Sequence, residues 1–242
     1  MIIIGPIIAA FVSICGAIGS ACATIGSALA VAITQLKPII DLIIKAIPLI
    51  VQILQMLAPN EVEPKEVETG ELAAKAEVCK DDIKPENYDS YSEYIHAVRD
   101  CVENDPVKKA EVEEKMKGWS ENDTKAYILV SAGMVGELTA EKLGTDYIDP
   151  AFIAKANSIG LSAEKTISLI QGLDKLGVNT TEVNKYFDGC SKGADFEKTD
   201  KAIKTVIGDI DPSVKTEEQK IAALNQMSEK IDADVKAIEN QI

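Results

Sequence analysis

The sequence predicts an all-α protein: an N-terminal hydrophobic helical hairpin, transmembrane or buried in an oligomer, then an acidic multi-helix domain ending in a heptad-patterned helix. Three observations lead there. Residues 1 to 36 carry no charged side chain at all. Beyond residue 71, helix start and stop signals agree with the apolar spacing. Nowhere does a sustained alternation of apolar and polar residues mark a strand.

The hairpin divides at Thr34 to Pro38. Gly5-Pro6 suits a helix start, because proline costs nothing in a first turn where its missing N–H has no partner to find. A helix from 7 to 36 follows, about 45 Å long at about 1.5 Å per residue, which exceeds the roughly 30 Å hydrocarbon core of a bilayer and requires tilt or projection. No cleaved signal peptide is expected, since no positive residue precedes the apolar run and the run outlasts a signal core. One face of this helix is bulky, with Ile7, Phe11, Ile14, Ile18, Ile25, Leu29, Ile33 and Leu36. The opposite face is small, with Ala9, Ser13, Gly16, Ser20, Ala23, Ser27, Ala30 and Thr34, and such a face lets helix backbones approach and associate. In composition it resembles the helices of proteolipid rotor rings and of fusion peptides. A rotor ring needs a carboxylate deep in its second span, whereas Asp41 stands near the start of this one, and no family is assigned.

The second helix is expected from 38 to 57, about 30 Å and one bilayer crossing, with a kink at Pro48. Asp41, Lys45, Gln52 and Gln55 form a narrow polar stripe on an otherwise Ile- and Leu-rich cylinder, and Asp41 can pair with Lys45 across one turn. The stripe suits three settings: a water-filled path in an oligomer, a headgroup layer, or the solvent edge of a soluble bundle. Residues 59 to 70 read as an acidic, proline-containing linker, extended and exposed.

Within 71 to 242 the signals are successive. Asp105-Pro106 opens a charged helix closed by Gly118, and Ser120 opens one that runs to Leu143 and stops at Gly144. Asp149-Pro150 starts another that ends at Gly160, Ser162 a further one closed by Gly177, and Thr180 or Thr181 the next, interrupted at Gly189. The last helix, about 214 to 242, places Ile221, Leu224, Ser228, Ile231, Val235, Ile238 and Ile242 in three-four alternation, either packing on its own domain or forming a coiled-coil seam with another subunit.

Composition narrows the function. A formal charge of -14 and a single arginine, Arg99, exclude a nucleic-acid surface, which needs clustered Lys and Arg. His96 is the sole histidine and reads as a structural or surface residue, so no catalytic triad is expected; nor is a phosphate loop, a cofactor or a metal motif. The acidic stretches at Asp81-Asp82 and Asp209 to Asp211 read as solvated loops. Five cysteines, Cys15, Cys22, Cys79, Cys101 and Cys190, lack metal-ligand spacing. A Cys79–Cys101 disulfide would need its flanking helices antiparallel, and reduced, half-buried thiols are the expectation. The expected function is therefore non-enzymatic. The chain reads as a self-associating, membrane-inserting protein that forms a pore, conduit or membrane-anchored oligomer. The alternative is a structural subunit of a large particle, such as a phage tail or injection device, with its hydrophobic helices bundled inside until delivery. The expected location is a membrane or the inside of such a particle, with copies of itself, lipid or other subunits as partners.

Overall fold

The computed structural model describes residues 37 to 240, all helix, turn and loop without a strand. The expected helix 7 to 36 and its small-residue face lie outside the described residues, as does Ile242.

The expected second helix is two pieces, α1 (Lys37–Lys45) and α2 (Ile47–Leu57), bent by 48° at Ala46. Pro48 is the cause: it offers no N–H to the Ile44 carbonyl, so the helix is broken and restarts with proline in its first turn. Ala46 bridges the break, its N–H donating back to Ile43 O at 2.9 Å while its carbonyl accepts from Ile50 N at 3.0 Å. Among the described residues no single helix is long and apolar enough to cross a membrane, and α1 with α2 reach that length and apolarity only together.

The segment 59 to 70 departs from the extended, exposed linker that its composition suggests. It forms a short helix, α3 (Pro64–Glu68), with Val62, Glu66 and Val67 buried. A capping box, in which Glu63 and Glu66 exchange backbone and side-chain bonds, starts it. Gly70 then turns the chain into α4 (Glu71–Cys79). After a 3₁₀ turn at Pro85–Asn87 come α5 (Tyr91–Glu103), α6 (Pro106–Lys117), α7 (Glu121–Leu143), α8 (Pro150–Ser158), α9 (Ala163–Lys175), α10 (Thr180–Phe187), α11 (Gly193–Ile210) and α12 (Glu217–Glu239).

The signals read from sequence act as expected at several ends. Ser120 and Asp123 form a capping box on α7, and Gly144 closes it with φ +67°. Asp105 and Asp149 cap helices whose first residue is proline. For α10 the cap is Asn179, one residue ahead of the expected threonines.

Helix α7 is the axis of the body. From Ala126 to Gly136 it is buried without a break, about three turns, so every face is covered. Helices α2, α3, α4, α5 and α8 surround it. Contact with α4 is close because both faces are small: Ala73 N donates to the buried Ser131 Oγ at 3.1 Å. Helix α11 organises the other end, against α9, α10 and α12. Helix α2 links the two ends by packing on α7, α8 and α9, and it buries Ile47, Leu49, Ile50, Val51, Ile53 and Leu54. Residues 40 to 58 thus share one apolar core with residues 62 to 238, and the expected boundary at 58 is not a break in packing.

Cys79 on α4 and Cys101 on α5 are joined as a disulfide, where reduced thiols were expected; the helices pack side by side and bring the two Cα atoms to 6.7 Å. Cys190 is free and exposed.

Two outcomes test this packing. Gly70 sits at φ +78°, and a Cβ there would stand 2.7 Å from Tyr127 Cβ and 2.8 Å from Ile128 N. Gly70→Ala should cost about 3 kcal/mol in urea unfolding, against about 1 kcal/mol for Gly189→Ala, which has positive φ but open space. Peptide mapping without reductant should recover Cys79 linked to Cys101, and replacing both by Ala should remove about 3 kcal/mol through loss of the constraint across a separation of 22 residues.

Candidate functional site

The polar stripe on α1 and α2 is where the hydrophobic segment meets the acidic body, and its members have separate partners. Asp41 does not pair with Lys45. It reaches across to α7 and takes Lys125 Nζ at 3.0 Å, while Lys45 reaches α12 and pairs with Asp234 at 3.0 Å. The bend at Ala46 turns α1 between those two helices. Gln55 donates to Val62 O at 3.4 Å, and Gln52 is exposed together with Pro48 and Met56. Within the chain, these contacts tie the stripe to α7, α12 and the segment after α2. Burial alone would raise the Asp234 carboxyl, but hydrogen bonds from Lys45 and Ser158 and the Lys45 charge hold it below its ordinary value.

Directly after α2 lies a buried ionic cluster that sequence reasoning did not find. Glu66 of α3 is 2% exposed. Its Oε1 accepts from Lys75 Nζ at 2.6 Å and Arg99 Nε at 3.2 Å, and its Oε2 accepts from Glu63 N at 2.8 Å. Arg99 also donates to Glu61 O at 3.2 Å, and Lys75 pairs with Glu71 at 3.1 Å. Burial pushes the Glu66 carboxyl up, but the Lys75 and Glu63 hydrogen bonds with the two cations outweigh it and keep it below the ordinary range; Lys75 is correspondingly raised despite its burial. Glu61 pairs with Lys142 of α7, and His96 stands 3.4 Å from it with its ring half exposed. The only histidine and the only arginine thus both join 61 to 66 to α5, while Lys142 joins the same segment to α7. The available signal was the lone Arg99, one turn from His96 on an amphipathic helix, facing an acidic stretch far away in sequence.

A second buried network lies between α8 and α10. Asp149 accepts from Ala151 N at 2.9 Å and from Asn184 Nδ2 at 2.7 Å, and Thr180 Oγ1 accepts from Asp149 N at 3.0 Å. Lys155 donates to Asn184 O at 3.2 Å and pairs with Asp188 at 2.8 Å. Burial raises both Asp149 and Asp188, the latter against the pull of Lys155. Asp149 was legible only as a helix cap. Nothing in the spacing showed that it and Lys155 would be enclosed.

On α12 the heptad positions divide. Leu224, Ile231 and Ile238, seven residues apart, are buried in the chain's own core; Ser228 and Val235 are half-buried, and Ile221 is 43% exposed. The helix packs on α8 and α11. Among the described residues no three His, Cys, Asp or Glu side chains are gathered as metal ligands.

The two kinds of ionic contact should separate on mutation. Glu66→Gln leaves Lys75 and Arg99 without their shared carboxylate and should cost about 3 kcal/mol, whereas Lys45→Ala, at an exposed pair, should cost under about 1 kcal/mol. Glu66 is held below its ordinary value only in the folded chain, so the unfolded chain takes up the proton first as pH falls. Its stabilisation is complete above the ordinary carboxylate range and is lost as pH drops toward the folded value. Unfolding measured between pH 7 and 3 should therefore show a shallower acid-side loss for Glu66→Gln. Comparison of the chain with known protein families, characterised proteins and solved structures finds no match.

Proposed function

We propose that this chain is a self-associating membrane protein. Residues 1 to 36 enter the bilayer and pack against other copies through the face from Ala9 to Thr34, while the acidic helical body stays in water. The observation that carries the reading is the 36-residue stretch without one charge, joined directly to a body of net charge -14. Of a pore, a conduit and an anchored oligomer, the anchored oligomer is the form that leaves α1 and α2 in their packed positions. Withdrawing them would expose Ile40, Ile43, Ile50, Ile53 and Leu54, each at most 1% exposed, and uncover α7.

Burial of α2 inside the chain's own body also favours the second reading, a subunit of a large particle in which the apolar N-terminal segments bundle among themselves. The two differ in what touches the first helix: a lipid-facing belt in one case, protein on all sides in the other.

The full-length protein should float with liposomes without releasing a trapped dye. Dye release would favour the pore or conduit, and failure to float would remove the membrane reading. Gly16→Leu and Ala23→Leu should each block association, measured as particle mass in detergent, because the added bulk separates the backbones. Unchanged mass in both variants refutes the small-face argument.

A further inference from the structure

Helices α8 to α12 frame a cleft of about 720 Å³, lined among the described residues by side chains between 152 and 231. Phe152, Leu169, Leu173, Ile207 and Met227 are among the side chains that form its walls. A space of this size between apolar side chains gives ordered water few partners and deprives its lining of dispersion contacts. It falls within the roughly 300 to 1,000 Å³ of small-molecule sites, which likewise pair apolar walls with a few polar groups.

Those polar groups are biased in sign. In a chain of net charge -14, the charged residues at this cleft are Lys155, Lys165, Lys230 and Asp211. Lys155, its side chain 9% exposed, is already engaged by Asp188 and the Asn184 carbonyl. Lys165 and Lys230 are exposed, and neither makes an ion pair within 4.0 Å among the described residues. The Asp211 carboxyl is held below its ordinary value by Ser213 hydrogen bonds and to a lesser extent by the Lys165 charge. Apolar walls beside two ammonium groups outside any close ion pair match one class of molecule.

We propose that the cleft binds a free long-chain carboxylate, its alkyl tail between α9, α11 and α12 and its head at Lys165 and Lys230. Among the described residues, no part of α1 or α2 lines the cleft. Helix α12 supplies one wall through Ala223 and Met227, which are half-buried at the cleft rather than sealed in the core.

The test uses the full-length protein and a photoreactive hexadecanoate carrying a diazirine in its chain, with cross-links mapped by mass spectrometry. Cross-links should fall in residues 152 to 231 and be competed by unlabelled hexadecanoate, but not by the same acyl chains supplied as phosphatidylcholine vesicles. Ala223→Trp, which fills the cleft, should lower labelling at least about tenfold with melting temperature retained, and the Lys165→Glu, Lys230→Glu double variant should lower it about tenfold. The uncharged alcohol analogue should label as weakly as that double variant. Met227→Trp replaces Ala223→Trp if the latter does not fold. Cross-links confined to residues 1 to 58, equal labelling by the alcohol, equal competition by vesicles, or indifference to the filling variant would each overturn the proposal.

Discussion

A helix buried on every face needs a cover on every face, and that requirement at α7 governs the rest of the structure. Between Ala126 and Gly136 no turn of α7 reaches solvent. Its backbone hydrogen bonds are internal, so the demand on its surroundings is purely one of apolar, close-fitting neighbours. Helix α4 meets that demand largely with small residues: Ala73, Ala74 and Ala76 are buried beside Leu72, and the polar contacts are Ala73 N donating to Ser131 Oγ and Tyr127 OH donating to Glu77. The loop after α7 comes equally near, since a Cβ on Gly136 would collide with the Ile148 carbonyl. Helix α2 covers a further side with Ile and Leu. An apolar segment that composition marks as membrane-seeking thereby becomes the partner of an equally apolar helix in the same chain.

Enclosing so much apolar surface leaves polar groups trapped at its margins, and the two most deeply buried carboxylates are provided for locally. Glu66 is tolerable at 2% exposure because two cations and one backbone N–H point at it. Asp149 lacks a cation in contact and instead combines helix-capping bonds with the Asn184 amide. The pH consequences are opposite in sign. Protonating Glu66 removes a stabilising cluster, whereas the raised Asp149 and Asp188 carboxyls take up protons more readily in the folded chain than in the unfolded one, so protonation favours the fold there.

The two apolar stretches near the N-terminus differ in what they offer a partner. Residues 1 to 36 carry no charge to anchor them in water. The stretch from Lys37 to Leu57 has three charges, and two of them, Asp41 and Lys45, each find an opposite charge on a different helix of the body. Those surface pairs contribute little energy, but they orient α1 so that Ile40, Leu42 and Ile43 are directed inward. The proposed division, with the first segment outside the body and the second within it, rests on that difference in charge.

Helical class, most helix ends and the proline break were legible in the residues, because caps, glycine stops and proline act through the nearest few peptide groups. Ser120, Asp105-Pro106, Asp149-Pro150 and Gly144 all act locally in this way. The spacing of Leu224, Ile231 and Ile238 likewise marked the face of α12 that needed covering, though not what would cover it. Tertiary structure decided everything that depends on which distant segment supplies the partner. Periodicity records how much apolar surface a helix must hide and is silent on whether lipid, another copy or the chain itself hides it. For α2 the cover is α7, α8 and α9; for the acidic stretch at 61 to 66 it is Lys75, Arg99 and Lys142. Those pairings come from packing between residues far apart in sequence, and no local rule encodes them.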